Sequence, residues 1–129
     1  MVDPHRFHRT RDWAALMKPW PQSWAGIAAD IPIGEQLVQL FMPFVVHLQK
    51  QQLTPKTIRR HVDHLWCIGG EIIRDLHLDF TLRHRSAVWL LYKAIIDGHA
   101  PLVRDASESE QQALDATARK LAKFLATQK

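Results

Sequence analysis

Residues 53–76 read LTPKTIRRHVDHLWCIGGEIIRDL, and Ile58, Val62, Leu65, Ile72, Ile73 and Leu76 recur at helical spacing to form one apolar stripe. The start of this segment is specified in detail. Thr54 can cap the helix, Pro55 suits its first position, and Leu53 with Ile58 has the spacing of a hydrophobic staple. A helix over about residues 55–76 is therefore expected. Gly69 falls within the stripe, where a missing side chain lets another helix come close, and Gly70 beside it adds a weak point or bend.

The partners of this helix are helices too, because β-branched residues are sparse and no run alternates with period two. A helix over about 35–51 would place Leu37, Leu40, Phe41, Phe44, Val45 and Leu48 on one face, with Pro43 on the other side and a kink there. After the polar connection HLDFTLRHR, a third helix is predicted over about 86–97, capped by Ser86, burying Leu91 and Ile95, and stopped by Gly98. A fourth, over about 107–126, opens with a Ser107–Glu110 capping box and aligns Leu114, Ala118, Leu121 and Leu125. Its acids lie early and its lysines late, as the helix dipole prefers. The expected fold is all-α: four helices in two hairpins, preceded by an aromatic and proline-rich arm.

That arm is residues 1–33, and the helical domain is residues 34–129. Pro19, Pro21 and Pro32 argue against a long helix in the arm, leaving a short one over about 10–17 followed by an extended stretch. Trp13, Trp20 and Trp24 are expected to pack on the body, the commoner use of spaced tryptophans. The other reading of this basic and aromatic segment is a strip for nucleic acid.

At 129 residues the chain is the size of one domain. Its net charge of +4 and pI near 9.6 are compatible with a polyanion partner. A single cysteine, Cys67, excludes an internal disulfide and points to a reducing compartment. The N-terminus carries His5, Arg6, His8, Arg9 and Arg11 with no apolar core of a signal peptide. The apolar region LVQLFMPFVVHL reads as too short for a bilayer and is interrupted by Gln39, Pro43 and His47. A cytoplasmic protein without a membrane association is the expectation.

Lys56 and Arg60 lie one turn apart on the polar side of the second helix, with Arg74 further along the same arc. Arg59 can pair with Asp63 four residues on. Cations in a first turn oppose the helix dipole at about 0.3–1 kcal/mol each. Phosphate binding would use them, together with free backbone N–H groups and the Thr54 and Thr57 hydroxyls. The plain alternative is a solvated face. Arg83 and Arg85 could add a second phosphate contact or merely solvate a loop. His61 and His64, one turn apart, supply two of the three or four ligands a zinc site needs, and read as hydrogen-bonded helix-face histidines. Cys67 and Tyr92 read as structural, and no glycine-rich phosphate loop, nucleophile elbow or metal set is present. No enzymatic activity and no cofactor are expected.

Residues 41–68, FMPFVVHLQKQQLTPKTIRRHVDHLWCI, resemble the core-binding domain of tyrosine recombinases of the phage-integrase type, a SAM-like helical domain. Thr54, Thr57, His61, Leu65 and Ile68 stand at the positions of that family's loose helical pattern. His61 occupies the place of a usual tyrosine and Ile68 that of a frequent phenylalanine. ALDATARKLAKFL looks like the domain's last helix, so the resemblance spans about residues 35–127. It implies a clamp on duplex DNA, with Thr54, Lys56, Thr57, Arg59 and Arg60 as the contacts. The catalytic domain of those enzymes has no counterpart in this chain. The expectation is a nonenzymatic DNA-binding module, an accessory protein of a mobile element acting beside a recombinase or other protein. The alternative is a helical protein-interaction module that has lost DNA binding.

Overall fold

The computed structural model describes residues 12–128, so the expectations resting on His5, Arg6, His8, Arg9 and Arg11 lie outside the described residues. The described chain is an all-α bundle: α1 (Trp13–Met17), α2 (Trp20–Trp24), α3 (Asp30–Lys50), α4 (Pro55–Leu78), a 3-10 turn (Phe80–His84), α5 (Ala87–Ile95) and α6 (Glu108–Ala126). Among the described residues there is no strand. The central helix is α3, which packs against every other α-helix.

The four long-range partners α3 to α6 begin and end largely where their caps dictate. Thr54 Oγ1 accepts from Thr57 N–H, and Ser86 Oγ accepts from Trp89 N–H. The Ser107–Glu110 capping box is closed in both directions. Gly98 ends α5 with φ of 77°, where an L side chain is strained. The apolar stripes are the core: Leu37, Phe41, Phe44, Val45 and Leu48 of α3 meet Val62, Leu65, Ile68 and Leu76 of α4 and Leu121 of α6, all essentially dry.

Three expectations need correction. The first long helix begins at Asp30, five residues before the expected start, and passes through Pro32. Proline is harmless there because the first turn has no intrahelical acceptor for its missing N–H. The arm is not extended after α1, since Trp20–Trp24 forms a helical turn with Pro21 at its start. At its full 21 residues, α3 is also long and apolar enough, by length and composition, to cross a membrane, so the argument from a short apolar run does not hold. In this structure its apolar face is the middle of the protein core. Pro43 lies on the exposed side, as expected.

The arm is fastened to α4 at the two glycines. Trp24 lies across them: a Cβ built on Gly69 would sit 2.4 Å from Trp24 Cζ2, and one on Gly70 3.3 Å from Cδ1. The indole Nε1–H donates to the Trp66 carbonyl at 3.0 Å, and Trp66 Nε1–H returns a bond to Ser23 Oγ at 3.1 Å. The close approach anticipated at Gly69 is therefore made by the short helix α2, and α4 runs through both glycines as one helix.

A second fastening is ionic. Asp30, with no exposed surface, accepts at Oδ2 from Gly26 N–H (2.8 Å), Ile27 N–H (3.1 Å) and His77 Nε2 (2.7 Å), and at Oδ1 from Arg83 Nη2 (2.9 Å). Burial alone would raise its pKa. The bonds from His77, Ile27, Gly26 and Arg83 outweigh that and hold the carboxyl well below the usual carboxylate range.

Two predictions follow from these fastenings. Gly69→Ala is expected to lower stability by about 1–3 kcal/mol despite alanine's better helix propensity, because its methyl displaces the Trp24 ring. Gly70→Ala, which meets the ring only at the edge of contact, is expected to stay within about 1 kcal/mol of wild type. Urea midpoints followed by tryptophan fluorescence distinguish the two. Asp30→Asn should cost about 3–5 kcal/mol, since it strands Arg83 without its counter-charge. Because the folded pKa of Asp30 is depressed, its contribution is full above the unfolded value of 3.8 and is lost as pH falls below it. Urea midpoints between pH 3 and 5 should thus fall less steeply in the variant than in wild type.

Candidate nucleic-acid interface

With one stripe of α4 buried in the core, its cations are left on the opposite side. Lys56, Arg60 and Arg74 are exposed, and among the described residues none has an ion-pair or hydrogen-bond partner. The first turn of α4 contains no acid. From Arg60 to Arg74 the helix rises about 21 Å, so the row reaches well beyond one phosphate. Arg59 forms the expected pair with Asp63, Nε to Oδ1 at 2.9 Å, and both remain exposed. Such a pair contributes little, about 0.3–0.5 kcal/mol, and leaves the guanidinium accessible.

The start of α4 differs from the cradle expected of it. Pro55 has no N–H, Thr57 N–H goes to Thr54 Oγ1, and Ile58 N–H goes to the Thr54 carbonyl. The Thr54 hydroxyl donates its own proton to Thr57 Oγ1 at 2.9 Å. Thr54 is thereby used up as a cap, whereas Thr57, acting as the acceptor, keeps its hydroxyl proton. Convergence of several free N–H groups and two hydroxyls on one anion is not what the local geometry provides. What remains is the Thr57 hydroxyl and the Lys56 and Arg60 side chains.

The pair Arg83 and Arg85 divides in two. Arg83 is turned inward onto Asp30 and lies 5.9 Å from the Phe80 ring centroid, so it is a structural cation and not a phosphate ligand. Arg85 stacks over Trp89, its guanidinium 4.5 Å from the ring centroid, and stays exposed. Its edge remains open to an anion.

His61 and His64 face α6 instead of solvent alone. Their Nδ1 atoms lie 2.8 and 2.7 Å from the same buried Thr117 hydroxyl. One hydroxyl proton cannot serve both, so at least one ring donates its Nδ1–H to the Thr117 oxygen. Burial, then the charges of Lys120, His64 and Arg60, push the His61 pKa down to about 4. His64 is lowered mainly by burial as well, against the opposing pull of Asp63. Both rings are hydrogen-bonded helix-face histidines, and among the described residues no group of three His, Cys, Asp or Glu could hold a metal ion. Burial also raises the pKa of the Cys67 thiol, and Asp63, Glu71 and Glu110 add to this, so a reactive thiolate is disfavoured.

Arg60 and Lys120 both act on His61, which brings the α4 row near the late cations of α6. Arg119, Lys120 and Lys123 of α6, with His47 of α3 and His61 of α4, line a groove of about 1130 Å³. The signal for them was present in the spacing of ALDATARKLAKFL, but which way that helix turns its cations depends on its neighbours. Tyr92 stands beside the last turn of α6 with its hydroxyl donating to the Leu125 carbonyl at 3.4 Å. No protein-family model, curated protein or solved structure matches this chain.

The histidine pair gives a prediction of its own. A histidine whose folded pKa is depressed keeps its full stabilising effect above the unfolded value of 6.5 and loses it as pH falls toward the folded one. Stability should therefore decline from about pH 6.5 to pH 4, a window above that of Asp30. Replacing both rings by glutamine should flatten the urea-midpoint profile in that interval. Thr117→Val should lower stability by about 1–2 kcal/mol while the pH dependence, which comes mainly from burial, persists.

Proposed function

We propose that this protein is a nonenzymatic DNA-binding module that grips duplex DNA mainly through its phosphate backbone. The reading rests on one observation: Lys56 and Arg60 stand exposed and unpartnered, among the described residues, one turn apart at the acid-free start of α4. Cations in that position work against the helix dipole, and a bound phosphate turns the small penalty into attraction. Thr57 can donate one further hydrogen bond. Arg59, Arg74 and Arg85 would meet neighbouring phosphates, since each keeps its guanidinium at the surface.

Phosphate contacts set register without reading sequence, so this surface alone confers weak base specificity. The resemblance of residues 41–68 to a SAM-like core-binding domain is what suggests an accessory role beside a recombinase of a mobile element. We place the protein in the cytoplasm, where Cys67 stays reduced.

Fluorescence anisotropy with a generic duplex across a salt series tests the reading. Wild-type affinity should fall linearly with the logarithm of salt concentration. Lys56→Ala/Arg60→Ala should bind more weakly and reduce the slope by about two, roughly 0.9 per phosphate contact removed. A wild-type protein that fails to bind duplex at low salt would falsify the proposal.

A further inference from the structure

Cations and apolar side chains share the lining of the groove between the end of α3, α4 and α6. Arg119, Lys120 and Lys123 supply the charge, Ile96 and Phe124 apolar surface, and no described carboxylate lines it. His61, with its pKa near 4, adds no charge at neutral pH. Ile96, at the C-cap of α5, is 67% exposed and closes a row that runs along that helix. Val88, Tyr92 and Ile96 lie one turn apart on that row and are all exposed. The Tyr92 hydroxyl, bonded to the Leu125 carbonyl, ties the row to the last turn of α6 beside the groove.

We propose that this groove and the α5 row bind a protein segment of defined chemistry: an amphipathic helix with an apolar stripe flanked by acidic residues. Charge complementarity requires an anionic partner, and the exposed apolar side chains beside the cations decide which kind. A DNA backbone presents phosphates and sugars, which would satisfy the lysines and leave Ile96 facing a charged strand. An acidic helix satisfies both at once. At about 1130 Å³ the groove exceeds the 300–1,000 Å³ usual for small-molecule pockets. It suits a helix laid in a groove, anchored by side chains at i, i+3 or i+4, and i+7. The docking surface is separate from the Lys56–Arg60 row and stands whether or not that row binds DNA.

The probe is a fluorescein-labelled synthetic peptide of about 18 residues, five helical turns, with leucines on one face and glutamates elsewhere. A peptide of identical composition with the leucines distributed around the helix serves as comparison. The amphipathic peptide should bind about tenfold more tightly than its isomer. Ile96→Ser, at an exposed position that cannot disturb the core, should abolish that preference and leave duplex-DNA binding unchanged. Lys120→Gln/Lys123→Gln should weaken both peptides together. Equal binding of the two isomers, or an Ile96→Ser protein that still prefers the amphipathic one, overturns the proposal. So does loss of DNA binding in Ile96→Ser, which would assign the groove to nucleic acid.

Discussion

A carboxylate removed from water must collect donors, and Asp30 collects them from three separate parts of the chain. Gly26 and Ile27 contribute from the loop before α3, His77 from the end of α4, and Arg83 from the 3-10 turn. Those bonds determine where the N-terminal arm crosses α4, and so where Trp24 can lie across Gly69 and Gly70. Breaking any one leaves a charge in a dry site, which is more costly than losing an ordinary surface contact. The polar clamp and the indole seat both act at the C-terminal end of α2 and hold the same joint.

With that joint closed, α4 has a distinct job on each side. Its apolar stripe joins the core, the His61 and His64 edge bonds to Thr117 of α6, and the remaining arc carries cations to solvent. A cation on that arc can serve the outside only if nothing inside needs it. Arg83 shows the other outcome: similar in sequence to Arg85, it is drawn inward because Asp30 has to be neutralised. Lys56, Arg60 and Arg74 face no such demand from the described residues, and this is the physical reason that the proposed DNA contacts fall on them. The groove beside α6 poses a different question, since its charge comes with apolar surface that a phosphate backbone would not cover.

Much of the fold was legible in the residues themselves. Caps are local: Thr54, Ser86 and Ser107 each reach only three residues ahead, so their signals survive without knowledge of the tertiary structure. Apolar stripes repeat over several turns and identify buried faces equally well. Harder to read were α2, a five-residue turn whose prolines resemble breakers, and the start of α3, where Pro32 falls in the single turn that tolerates it. In the candidate site, the Arg59–Asp63 pair was legible because it spans four residues of one helix, whereas the Asp30–Arg83 pair spans 53 and was not.

The sequence by itself thus determined an all-α bundle, the capped ends of its long helices and a cationic start to α4, because these depend on periodicity and on neighbours within a few residues. Only the tertiary structure decided what fills the space over Gly69, which arginine turns inward, and where the α6 lysines point. Each of those outcomes depends on groups far apart in the chain competing for one buried charge, one ring-sized gap or one hydroxyl.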